Sequence, residues 1–167
     1  MTFVTHTLGG AVAGMVLIQA TNASEPIAMA YIAGGAVVGS LLPDIDHTRS
    51  KISNSNLATG IISRIVSIFF KHRGFLHTPV FIVILNATVY ITAGMLVPGV
   101  PSSNIAMAIS LGALSHLILD SLTPGGIMWF WPLSKRRINF LSIRTGGLAE
   151  KIFAGVFCAF IGWAVMG

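Results

Sequence analysis

Apolar residues gather in five long runs, at about 3–20, 27–42, 76–97, 105–122 and 152–166. Each approaches the roughly 20 residues that carry a helix across a bilayer. Several are short for an upright span, which fits tilted helices or a thin, partly interfacial bundle. The polar connections alternate in character. Residues 21–26 and 98–104 form short turns whose only charge is Glu25, whereas 43–75 and 123–151 are long. Within the first long connection, 57–71 is too short and too charged to span. Arg64, Ser67 and Lys71 fall on one helical face, with Ile61, Ile62, Ile65, Ile68 and Phe69 largely on the others. That pattern predicts an amphipathic helix lying in the headgroup layer. In the second, Trp129, Phe130, Trp131 and Pro132 precede Lys135, Arg136 and Arg137, which reads as another interfacial element. The expected fold is all-α: a multi-pass transmembrane helical bundle of about five spans, one domain over 1–167, with an interfacial helix and cytoplasmic loops.

Charge adds orientation. The two long connections hold all ten basic residues: Arg49, Lys51, Arg64, Lys71 and Arg73 in one, Lys135, Arg136, Arg137, Arg144 and Lys151 in the other. An excess of Lys and Arg marks cytoplasmic loops. The expectation is a bacterial inner-membrane protein with both long loops and the N-terminus in the cytoplasm and the C-terminus outside. The net charge of +5 then reports topology, and no nucleic-acid partner is expected. Composition agrees: 54% of residues are hydrophobic, 9% are charged, 18 are glycines, and mean hydropathy is +0.83. Gly-rich helices such as the stretch around Gly34, Gly35 and Gly39 suit close packing, within the bundle or between subunits of an oligomer. The first run lacks a basic leader and a cleavage site, so it reads as a retained helix. The single cysteine, Cys158, excludes an internal disulfide and a thiolate zinc site.

The remaining polar residues carry the chemistry. On this topology His6 starts the first span, and Asp44, Asp46 and His47 follow the second, around Pro43 as helix stop. His72, Arg73 and His77 precede the third, and His116 and Asp120 end the fourth. All five histidines and all three aspartates therefore meet one membrane face, where ionisable groups are costly and ask for a reason. His116 and Asp120, four apart, share one helical face, as paired metal ligands do. Eight nitrogen and oxygen donors without a thiolate suit one or two divalent ions. Zn²⁺ comes first, Mn²⁺, Fe²⁺ and Mg²⁺ also fit, and histidine richness argues against Ca²⁺. A faint echo runs through the chain as well. His6-Thr7 opens one helical hairpin that Asp44 closes, and His77-Thr78 opens another that Asp120 closes.

The series His6, Pro43-Asp44-Ile45-Asp46-His47, His72-Arg73-Gly74-Phe75-Leu76-His77-Thr78, His116-x-x-x-Asp120-x-x-Thr123-Pro124-Gly125-Gly126 resembles the YdjM-like family over nearly the whole chain. Its members are bacterial inner-membrane proteins described as metal-dependent hydrolases, some under LexA control. The resemblance implies metal and catalytic roles among His6, Asp44, Asp46, His47, His72, His77, His116 and Asp120. The expected function is hydrolysis of an ester or phosphoester in an amphiphilic, lipid-like substrate, with membrane lipids as partners. Asp44, Asp46 or Glu150 would serve as general base, Arg73 would grip an anionic oxygen, and Thr78 and Thr123 would orient ligands. Two other readings compete: a structural metal in a regulatory, partner-binding protein, and an ion- or proton-coupled transporter. The transporter suffers from a nearly apolar outer half, with Asn86 and Thr88 as its main polar residues.

Overall fold

The computed structural model describes residues 1–46, 74–97 and 99–166. Over these the chain is helical, with five helices long and apolar enough to cross a membrane: α1 (Phe3–Ala20), α2 (Pro26–Leu41), α3 (Pro79–Leu96), α4 (Ser102–Ser121) and α5 (Leu148–Met166). The all-α, five-span expectation is borne out. The amphipathic stretch 57–71 and the candidate residues His47, His72 and Arg73 lie outside the described residues.

Helix boundaries differ from the apolar runs where local chemistry decides. Pro43 ends α2 as a regular helix, but the chain continues through a short 3-10 turn, Leu42–Asp46, so the Asp44 carboxylate stays next to the bundle. The third run starts three residues early. Phe75–His77 forms a separate 3-10 turn, and α3 begins at Pro79 behind Thr78, whose hydroxyl accepts from the Phe81 amide at 3.3 Å. α5 begins at Leu148, which brings Glu150 and Lys151 into the helix rather than the loop before it.

α4 lies at the centre and packs against α1, α2 and α3, while α1 also packs on α2 and α5. The α2–α4 seam is built by glycine. A Cβ on Gly39 would stand 2.0 Å from the Ile109 carbonyl oxygen, and one on Gly112 would stand 2.0 Å from that of Ala36. No side chain fits there, so the two backbones touch, as small residues allow between membrane helices. Ala36 and Ala108 are fully buried along the same seam, with Ile32 and Leu17 beside them. α3 is fixed differently, by Ala93 against Val100 and Ile105 and by a 3.0 Å bond from the Asn86 amide to the Ser110 hydroxyl. The start of α1, the end of α2, the start of α3, the end of α4 and the start of α5 therefore share one end of the bundle.

Candidate metal centre

Close contact of α2 and α4 places His116, one turn after Gly112, against the open end of α2. There the Ser40 carbonyl, one of the last of its helix, takes the His116 Nδ1 hydrogen at 2.7 Å. A carbonyl only accepts, so Nδ1 is the donor and Nε2 of the neutral ring carries the lone pair. That Nε2 is buried, has no hydrogen-bond partner among the described residues, and lies 3.8 Å from Asp44 Oδ1 and 3.9 Å from Asp120 Oδ2.

The other histidines close around it. His6, on α1, stacks on the His116 ring with centroids 3.7 Å apart, and its Nε2 is 3.3 Å from Asp120 Oδ1. His77, in the turn before α3, meets the His116 ring edge-on at 5.2 Å, and its Nε2 is 3.7 Å from Asp44 Oδ1. His6, His77 and His116 are at most 1% exposed. Two triads result, His6–His116–Asp120 and Asp44–His77–His116, each with ligand atoms within 4.8 Å of one another. Either could hold a metal ion. They share a single lone pair, so His116 can ligate one ion at a time.

The donors fit such an ion. Two ligand atoms at about 2.0–2.1 Å from a tetrahedral Zn²⁺ stand roughly 3.3–3.5 Å apart, and the separations between nitrogen and oxygen here run from 3.3 to 3.9 Å. The lone pair facing two carboxylates asks for a positive charge between them. The N-terminal ammonium of Met1 does reach Asp120 Oδ1, a cation at the carboxylate that both His6 and His116 approach.

Of the eight expected ligands, the structure brings together five: His6, Asp44, His77, His116 and Asp120. Asp46 ends the 3-10 turn that holds Asp44, and its side chain lies outside the described residues. Glu150 is placed elsewhere. It is buried at the start of α5, where Oε1 accepts from the Thr2 amide and, at 2.7 Å, from the Thr5 hydroxyl, while Oε2 accepts from the Gly146 amide. These contacts tie α5 and the preceding loop to the first turn of α1. Thr78 and Thr123 are buried and cap helix ends, Thr78 giving its hydroxyl hydrogen to the Phe75 carbonyl at 2.7 Å and Thr123 to the Asp120 carbonyl at 2.8 Å. The Ser40 carbonyl was not foreseen: a main-chain oxygen has no signature in residue identities.

The pairing also resolves the echo between the hairpins. Each histidine meets the aspartate of the other hairpin, His6 with Asp120 and His77 with Asp44.

The family model described as "YdjM inner membrane protein" matches residues 1–166. "Uncharacterized protein YvsG" of Bacillus subtilis (strain 168) is 37% identical over 160 residues, covering 95% of this chain and 91% of its own. "Inner membrane protein YdjM" of Escherichia coli (strain K12) is 32% identical over 138 residues, 81% of this chain but 65% of its own length, and that of Shigella flexneri matches equally. No solved structure matches the chain.

Proposed function

The chain belongs to the YdjM inner membrane protein family, and from that premise we propose that it is a membrane-embedded, metal-dependent hydrolase. Its substrate would be a phosphoester or ester of an amphiphile, reached from the cytoplasmic face. The observation that carries this reading is the His116 Nε2 lone pair, held by the Ser40 carbonyl and aimed between two carboxylates inside the bundle. Zn²⁺ is the first choice for a donor set of imidazole and carboxylate, with Mn²⁺, Fe²⁺ and Mg²⁺ next. When bound, such an ion supplies a water of lowered pKa and a charge to stabilise the developing oxyanion.

The side chains divide the remaining work. Asp120, with a side chain 3% exposed, is held by His6 and serves as ligand. Asp44 is the more open carboxylate at 24% and lies beside His77 and His116, which makes it the group to take a proton from an incoming water. The Ser40 carbonyl keeps the His116 ring in its ligating tautomer. Glu150, filled by three donors, positions α1 instead of moving protons. Arg73 remains the candidate to grip an anionic substrate oxygen in two-point fashion. A metal that only pins helices is the second reading, favoured by the near-complete burial of His6, His77 and His116.

The deciding experiment combines metal analysis with a lipid screen. Purified protein should carry divalent metal that His116→Ala loses, and should release product from phospholipid vesicles. Asp44→Asn should keep metal at its other donors while turnover falls at least about 100-fold, the usual scale of a lost general base. Metal retained without any turnover across ester and phosphoester substrates would favour helix pinning. No metal after reconstitution with Zn²⁺ or Mn²⁺ would overturn the centre itself.

A further inference from the structure

The segment between α4 and α5 is not a slack connection. Ile127 and Ile138 exchange both backbone hydrogen bonds, at 3.0 and 2.8 Å. The Phe140 amide then caps the Ser121 carbonyl at 2.8 Å, and the Ile143 amide caps that of Leu122 at 2.9 Å, satisfying acceptors that the end of α4 leaves open. On its other flank the Trp131 ring packs edge-on against Phe75 at 5.4 Å, two residues before His77. The segment is thus fastened both to the helix that carries Asp120 and to the turn that carries His77.

Its outer surface is unlike that of a water-facing loop. Phe130 is 62% exposed, Leu133 94%, Phe140 64% and Leu141 51%, and Lys135, Arg136 and Arg137 are exposed between them. None of these lies in a spanning helix, so the lipid flanking the bundle wall does not account for them. Yet the segment's two ends are the ends of α4 and α5, both at the bundle end where the metal centre sits. Fastened to Ser121, Leu122 and Phe75, the segment stays against that end of the bundle, where the spans leave the membrane. Large apolar side chains beside exposed cations match one environment, the boundary between acyl chains and anionic headgroups. A nucleic acid would meet the cations but leave Phe130 and Leu133 in water.

We propose that Ile127–Leu141 is a membrane-surface platform: Phe130 and Leu133 enter the headgroup–acyl boundary, and Lys135 and Arg136 bind the phosphates of anionic phospholipids. The platform stands apart from any catalysis, since it rests on the loop alone.

The test uses the full chain in nanodiscs of phosphatidylcholine with and without phosphatidylglycerol. In a Cys158→Ser background, Leu133→Cys takes a spin label at a position so exposed that folding is unaffected. The label should be more accessible to oxygen than to a water-soluble nickel chelate. Lipid extracted with the protein should be enriched in phosphatidylglycerol over the bulk mixture. In Lys135→Gln/Arg136→Gln that preference should fall about five-fold per charge removed, the value of one basic residue at an anionic surface. A label open to the chelate in both nanodiscs would overturn the platform. So would equal phosphatidylglycerol enrichment in the parent and the double variant, or an oligonucleotide that displaces the lipid.

Discussion

Three helices of this bundle pack backbone against backbone, and two are held by a few separate contacts. In α1, α2 and α4 a third or more of the membrane-length window is buried inside the protein, whereas in α3 and α5 only 6% is. The inner trio meets through Gly10, Gly39 and Gly112, where added side-chain atoms would run into a neighbouring helix. The outer pair shows lipid-ready side chains such as Val83, Tyr90, Val156 and Trp163 along most of its length. What fixes the outer helices is a few contacts, mostly polar: His77 and Thr78 before α3, the Asn86–Ser110 bond and Ala93 further along it, and Glu150 in the first turn of α5. Lipid tails are as apolar as these helix faces, so apolar burial gives an outer helix little reason to dock. Polar groups supply it, and at the start of α3 one of them, His77, is a candidate ligand of the metal centre.

The contrast is broken most severely by Gly112→Ala. Its Cβ would stand 2.0 Å from the Ala36 carbonyl oxygen and 2.8 Å from the Ser40 amide nitrogen, both backbone atoms that cannot turn aside. α2 and α4 must separate, at the upper end of the roughly 1–3 kcal/mol of an overpacked core or beyond it. The Ser40–His116 bond opens with them. We expect a large drop in thermal midpoint in detergent together with lost metal. A variant that melts like the parent would show that the seam is not backbone-to-backbone.

The two groups of helices were not equally legible in the chain. All five spans follow from run length, because a helix in lipid must satisfy its own backbone and so needs an unbroken apolar stretch. Convergence of His6, Asp44, His77, His116 and Asp120 on one end followed from the alternation of short and basic connections. Which histidine meets which aspartate did not, since that depends on how two hairpins pack, and the echo His6…Asp44 and His77…Asp120 invites the wrong partners. The place of Glu150 was hidden for a related reason. Its donors Thr2 and Thr5 lie at the far end of the sequence, and the start of α5 at Leu148 turns a loop residue into a buried helical one. The backbone contact at Gly39 and Gly112 was visible only as a glycine-rich composition, equally suited to an interface between subunits.

Glu150→Gln sharpens the comparison at the outer pair. Three donors converge on the carboxylate, and the amide replaces one accepting oxygen with a further donor. With the amide oxygen kept on Thr2 and Thr5, the partly exposed Gly146 donor loses its acceptor, a loss at the lower end of about 1–3 kcal/mol. The damage should stay local, loosening the start of α5 from α1. Limited proteolysis near Gly146 should speed up while the metal expected among His6, Asp44, His77, His116 and Asp120 is retained, since none of these lies on α5. Metal loss equal to that of His116→Ala would instead place Glu150 in the centre.

The smallest effect, and the one with the opposite sign, belongs to Gly155→Ala in α5. An added Cβ there meets nothing within 4 Å, and the position is exposed along the helix wall. The same substitution that wedges α2 from α4 at Gly112 here only removes backbone freedom from the unfolded chain. Alanine is favoured over glycine in a helix interior by roughly 0.5–1 kcal/mol in water, and the gain shrinks where lipid already holds the helix together. Thermal midpoint in detergent should stay level or rise slightly, with metal content unchanged. A clear fall would mean that something packs on this face of α5, such as a second copy of the chain, and the outer helix would then be held along its length like the inner three.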